Sequence, residues 1–215
     1  MTVLVLRDDR GDPLVARLAA LGIAAERVSP VRFEPLPHIA PDAVDWLIVT
    51  SATTVAMVGR WPRARRVAAV GPATARALRD AGVQVDVVPG VASGAGLAAE
   101  LPSAPGETAW LPRSDLATDE LPTLLGDKGL DVTATHVYAT LVEPVDPGDH
   151  ALIVAYSPSG VRALPDDCRV PVVAVGAPTA REVLDRGFVL AGIADEPTDR
   201  KMSEAITSVL HMEET

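Results

Sequence analysis

Residues 69–76 read Ala-Val-Gly-Pro-Ala-Thr-Ala-Arg and residues 174–181 read Ala-Val-Gly-Ala-Pro-Thr-Ala-Arg, one phrase repeated 105 positions later. Each copy follows an apolar run, Val67 to Val70 or Val172 to Val175, and leads into a helical pattern that stops at Gly82 or Gly187. Nine of the nineteen positions aligned between 67–85 and 172–190 are identical, too many for two Ala/Val-rich segments that merely share a composition. The repeat runs on. Leu47-Ile48-Val49 matches Leu152-Ile153-Val154, Ser51 to Val55 matches Ser157 to Val161, and Arg7 matches Arg113. A strand, a glycine and a helix opening with Thr leave backbone N–H groups and partial positive charge facing an anion. Two such devices predict two lobes that hold one polyanionic ligand between them.

Short apolar runs alternate with Ala/Leu-rich helical patterns along the chain, which predicts an α/β fold with parallel sheets. Strands are expected at 3–6, 24–29, 46–50, 67–70, 85–88, 108–111, 132–138, 151–155, 172–175 and 189–193. Helices are expected near 12–21, 53–59, 73–81, 94–101, 117–128, 159–164, 178–186 and 201–211. Ten strands in this length suit two sheets better than one. A tandem cut near residue 105 conflicts with two proline-rich stretches, Glu34 to Pro41 and Glu143 to Pro147. Proline resists helix and central strand alike, so these stretches read as paired linkers. Residues 38–143 then form one lobe, and residues 1–36 with 148–215 form the other.

The 215-residue chain carries a net charge of −10, which makes nucleic acid and anionic membranes poor partners. Its basic residues are Arg except Lys128 and Lys201. Arginine suits bidentate carboxylate binding, although an Arg-rich composition can arise without any such role. Cys168 is the single cysteine, which excludes an internal disulfide and a multi-cysteine metal site. No apolar run nears membrane-span length, and Met1 to Arg10 lacks a secretory pattern. The expectation is a cytoplasmic protein.

An ordered set of short motifs resembles the uroporphyrinogen-III synthase family. It comprises Leu6-Arg7, Asp45 to Ser51 followed by Val55, Val70 to Ala75, Leu111-Pro112-Arg113 with Leu121-Pro122, Val137 to Thr140, Tyr156 to Val161, and Val175 to Ala180. The resemblance implies two similar flavodoxin-like α/β lobes with parallel sheets, one inserted into the other and joined by a two-stranded linker. It implies closure of the linear tetrapyrrole hydroxymethylbilane, which bears eight carboxylates, to uroporphyrinogen III. Water is lost, and the last ring, D, is inverted through a spiro intermediate, with no cofactor. Because the substrate closes unaided to the uninverted isomer, the protein's task is to orient it, and orientation is worth several kcal/mol. The chain departs from the family at Thr118, where a basic residue is usual.

Tyr138 resembles the family's tyrosine in the Val-Tyr-x-Thr segment, which implies a weak general acid that assists loss of the hydroxyl. The alternative is a packed tyrosine at a strand end. Thr74 and Thr179, near helix starts after Gly71 and Gly176, suit acetate and propionate groups. Thr50, Ser51, Ser114, Ser157 and Ser159 lie in comparable turns, and helix capping is the competing role for all these hydroxyls. Arg7 and Arg113 end repeated strands, where ligands of open α/β sheets sit, or simply face solvent. Two lobes on a two-stranded linker are expected to hinge closed on their ligand, because few contacts need cross between them. The chain is expected to be a monomer, and the resemblance implies a substrate handed over from hydroxymethylbilane synthase. The competing reading is a noncatalytic, regulatory binder of a small polyanion.

Other constellations carry less. His38, His136, His150 and His211 lack metal-ligand spacing. His136 is expected on the same strand face as Tyr138. Cys168 reads as part of a polar loop, the Arg60, Arg63, Arg65 and Arg66 cluster as a solvated loop, and Asp8-Asp9 and Asp166-Asp167 as loop carboxylates. Gly94-Ala95-Gly96 is too short for a dinucleotide fingerprint.

Overall fold

The computed structural model describes residues 1–7, 13–196 and 198–212, with backbone only at 211 and 212; Asp8, Asp9 and the His211 side chain lie outside the described residues. The strands are β1 (Thr2–Leu6), β2 (Ala24–Val28), β3 (Val31–Pro35), β4 (Ala43–Val49), β5 (Arg63–Ala69), β6 (Thr108–Ser114), β7 (Asp131–Val142), β8 (Leu152–Ala155), β9 (Val172–Ala174) and β10 (Leu190–Ile193). The helices are α1 (Pro13–Ala20), α2 (Ala52–Met57), α3 (Pro72–Asp80), α4 (Gly94–Glu100), α5 (Glu120–Asp127), α6 (Pro158–Arg162), α7 (Ala177–Asp185) and α8 (Asp199–Met212).

The chain divides into two compact units, Met1–Arg32 with Leu141–Thr215, and Phe33–Thr140. It passes between them along β3 and β7, which are neighbours in one sheet. The first unit has strand order β10-β9-β8-β1-β2, and the second sheet has order β3-β7-β6-β4-β5. The repeated segments take equivalent places. β8 and β9 correspond to β4 and β5, and β1 and β2 correspond to β6 and β7. Each unit therefore combines the opening strand–helix–strand of one copy of the repeat with the remainder of the other.

Both sheets are covered on both faces, which is why their strands read as continuous apolar runs rather than alternating ones. In the first unit Leu4, Leu6 and Ile153 pack with Val161 and Val183. Val3, Val5 and Val154 point the other way, onto Leu14, Leu18, Met202 and Ile206. In the second, Trp46, Ile48 and Leu111 meet Leu97 and Leu125, while Leu47, Val49 and Trp110 meet Ala75 and Leu78. Gly82 and Gly187 stop α3 and α7 with φ of 78° and 69°, a left-handed turn that ordinary residues resist.

Several expectations need correction. Residues 85–88 form no strand and make only an isolated bridge, Ala68 to Val87; Pro89 follows at once and has no N–H to extend the ladder. The proline-rich stretch after Phe33 begins inside an unexpected strand, β3, because Pro35 is tolerated where the strand is at the sheet edge. Cys168 lies in a loop as expected, but its side chain is buried, at 4% exposure, in the first unit's core.

Of the arginine cluster, Arg60 lies in an exposed loop as expected, whereas Arg63, Arg65 and Arg66 lie on β5. The Arg66 guanidinium stacks 4.1 Å from the Trp46 ring centroid and pairs with Glu107. Trp46 Nε1 also donates to Glu107, at 2.8 Å. The Ala104 N–H, then Trp46, then the Arg66 charge hold the Glu107 carboxyl below the usual glutamate range. Hydrogen bonds from the Thr108 N–H and hydroxyl do the same for Asp45.

Candidate active site

In a parallel sheet the chain leaves β1 toward β2 on one side and leaves β8 toward β9 on the other, so a crevice opens at the C-terminal ends between β1 and β8. Leu6 pairs with Ala155 in register, which places Arg7 beside Tyr156. Arg7 Nη1 donates to Asp199 Oδ1 at 2.7 Å, and the Tyr156 hydroxyl donates to the same oxygen at 2.8 Å. The Arg7 guanidinium lies 4.3 Å from the Tyr156 ring centroid. Asp199 opens α8, where a carboxylate also complements the helix dipole. Tyr156 and Asp199 carry this arrangement without having been singled out from sequence.

Along the same edge Ser157 caps α6 by accepting from the Gly160 N–H, and its hydroxyl lies 2.8 Å from that of Ser159. Gly176 precedes α7 without a side-chain cap, and Thr179 is 2% exposed. The second unit repeats the plan between β6 and β4. Ser51 caps α2 by accepting from the Thr53 N–H. Gly71 precedes α3, again without a side-chain cap, and Thr74 is 5% exposed. The competing capping role is therefore real for Ser51 and Ser157. Thr74 and Thr179 make no hydrogen bond through their hydroxyls among the described residues, and both helix starts keep their amides uncapped.

Arg113 is the most constrained cation of the set. It leaves β6 with its side chain only 10% exposed. Nη1 donates to the Thr118 carbonyl at 2.8 Å and Nη2 to Asp119 Oδ1 at 2.6 Å, while Nε is buried without a partner among the described residues. A cavity of about 420 Å³ lies against it, lined also by Thr50, Gly94, Thr118 and Glu120. Helix α5 starts at Glu120, three residues later than expected, because 115–119 form the turn that brings Thr118 and Asp119 to Arg113.

The Ser114 hydroxyl lies 2.9 Å from Asp115 Oδ1 and 3.1 Å from the Thr140 hydroxyl. Ser114 pairs in register with Tyr138. The Tyr138 ring is buried edge-on against Phe33, with centroids 5.7 Å apart. Its hydroxyl has no hydrogen-bond partner among the described residues. The ladder shifts between Arg113 and Ser114, so β7 spends His136 to Tyr138 on one step of β6. That bulge makes the consecutive Val137 and Tyr138 both buried and leaves His136 exposed, which corrects the expectation of a shared face.

The family model for uroporphyrinogen-III synthase HemD matches residues 12–204. The chain belongs to that family. The uroporphyrinogen-III synthetase of Helicobacter pylori is similar in fold, with a TM-score of 0.69 at 16% identity over 97% of this chain and 99% of that one. A mutant uroporphyrinogen III synthase of Thermus thermophilus gives 0.58 at 19% identity over 98% and 99%. Within the uroporphyrinogen-III synthase family, this member puts a threonine carbonyl and a neighbouring aspartate, Thr118 and Asp119, onto Arg113 at the turn where the resemblance leads one to expect a basic side chain.

Proposed function

We propose that the chain closes hydroxymethylbilane to uroporphyrinogen III as a cyclising hydro-lyase. The hydroxyl leaves as water, and ring D is inverted through a spiro intermediate. The family match across residues 12–204 carries this reading. Tyr138 is its acid: its hydroxyl, with no acceptor among the described residues, can hydrogen-bond the departing hydroxyl and assist its loss. Arg7 and Arg113, with the uncapped starts of α3 at Gly71 and Thr74 and of α7 at Gly176 and Thr179, bind acetate and propionate groups. Thr50, Ser51, Ser157 and Ser159 supply hydroxyls along the same strand ends, and Ser114 positions the Tyr138 strand. The held shape then favours attack at the substituted position of ring D.

The enzyme is further proposed to be a cytoplasmic monomer that takes its substrate from hydroxymethylbilane synthase. One cysteine in an acidic chain fits a reducing compartment. Light scattering on purified protein tests the monomer, with a dimer mass contradicting it. A coupled assay that generates hydroxymethylbilane tests the function. The III isomer should predominate, and formation of the spontaneous I isomer alone would refute the reading.

A further inference from the structure

The contact between Arg113 and Asp119 is incomplete in an informative way. Side-on, a guanidinium offers Nε and Nη2 as a parallel pair that one carboxylate can take with both oxygens. Asp119 takes only Nη2, through Oδ1, and Nε stays buried with no partner among the described residues. A buried unpaired donor is costly, so the half-used fork favours any carboxylate able to seat squarely on it. The Asp119 side chain is 81% exposed, whereas that of Arg113 is 10% exposed. The anchor is fixed and its partner is loosely held.

Asp119 also occupies the capping position of α5 and makes no capping bond. Ser51, Ser93 and Ser157, at the corresponding positions of α2, α4 and α6, all have extended backbones and do cap. Asp119 instead has φ −84° and ψ 11°, and the start of α5 goes without its side chain. Beside it lies the 420 Å³ cavity, lined by Arg113, Thr50 and Thr118.

We propose that Asp119 is a resident stand-in for a ligand carboxylate: when a propionate or acetate group enters the cavity it takes the Nε–Nη2 fork of Arg113, and Asp119 is released to solvent and to the start of α5. The released carboxylate is favoured there by the helix dipole. The Thr118 carbonyl keeps Nη1 throughout, so the guanidinium stays oriented during the exchange. The inference rests on the proposed function for the identity of the ligand. It adds that this site competes against itself, so substrate affinity at Arg113 is set by how easily Asp119 leaves.

The test is fluorescence titration with uroporphyrin III, the oxidised octacarboxylate product, on the full chain. Asp119→Asn removes the competing charge from an exposed side chain and is expected to fold as the wild type does. It should bind about three-fold tighter or more, the scale of a partly exposed ion pair. In an Arg113→Lys background, which loses the fork, the same substitution should bring no gain. Unchanged or weaker binding by Asp119→Asn overturns the stand-in and makes Asp119 a mere support for Arg113. A gain that persists in the Arg113→Lys background also overturns it, as does absence of binding by every variant. The isomer assay is scored separately. Formation of the III isomer by wild type with no gain in Asp119→Asn defeats this inference alone, whereas the I isomer alone defeats the function.

Discussion

Arg7 and Asp199 stand 192 positions apart in the chain and 2.7 Å apart in the fold. The contact joins the end of the first strand to the start of the last helix, and the Tyr156 hydroxyl holds the same carboxylate oxygen. An arginine that would otherwise be a flexible cation at a strand end is thereby fixed in direction. Its side chain nevertheless keeps 22% of its surface exposed, enough to meet a ligand.

Asp199→Asn should cost about 1 kcal/mol, because a charge-assisted contact is weakened but partly exposed to water. Tyr156→Phe keeps the ring against Arg7 and loses the hydrogen bond to Asp199, so it should cost about 1 kcal/mol as well. Urea midpoints check both values. Hydrogen exchange should place the loss in α8 and the first unit rather than across the whole chain.

The two repeated glycines should respond differently to alanine. A Cβ at Gly71 would stand 3.1 Å from the Ala92 Cβ, whereas one at Gly176 would meet nothing within 4 Å. Both glycines have extended backbones, φ −168° and 178°, which any residue adopts, so only space decides. Gly71→Ala should lower stability by about 1 kcal/mol or more through crowding. Gly176→Ala should stay within about 0.5 kcal/mol of wild type. Thermal midpoints measured side by side check the contrast.

Much of this fold was legible in the sequence because the strands are buried on both faces and spell continuous apolar runs, such as Leu47-Ile48-Val49 and Leu152-Ile153-Val154. The eight expected helices all formed, with caps at Ser51 and Ser157 and glycine stops at Gly82 and Gly187. What escaped was decided by long-range partners. Val85 to Val88 has strand composition but finds a single bridge. Arg66 looks solvated until Trp46 and Glu107 close on it. A one-residue bulge at Val137 undoes the alternation that would put His136 beside Tyr138. At the candidate site Arg7 and Arg113 were visible through the repeat, whereas Asp199 shares no local pattern with Arg7. Asp119 was hidden because the helical pattern ran through its turn.

Acid should weaken the second unit through its depressed carboxylates. Asp45 and Glu107 have folded pKa values below their ordinary ones. Their contribution is therefore fully present above the ordinary carboxylate range and lost as pH falls through it to the lowered values. Between about pH 5 and pH 3 the wild type should lose stability on this account. Glu107→Gln should be less stable at neutral pH and show a shallower decline on acidification. Denaturation midpoints across that range check the sign, and a steeper decline in the variant would contradict it.

Tyr138→Phe isolates the chemical role from the packing role, since the ring keeps its contact with Phe33 and the hydroxyl has no protein partner to lose among the described residues. Stability should change by less than about 0.5 kcal/mol. Turnover should fall by about 10-fold or more if the phenol assists loss of the hydroxyl. Wild-type turnover with the III isomer still dominant would remove Tyr138 from the chemistry.

The most direct measurement is the isomer ratio formed by the purified wild-type chain from hydroxymethylbilane generated in the same vessel, read by chromatography after oxidation. Uroporphyrin III should predominate over the product of the protein-free control. A product that is isomer I alone, matching that control, would contradict the account.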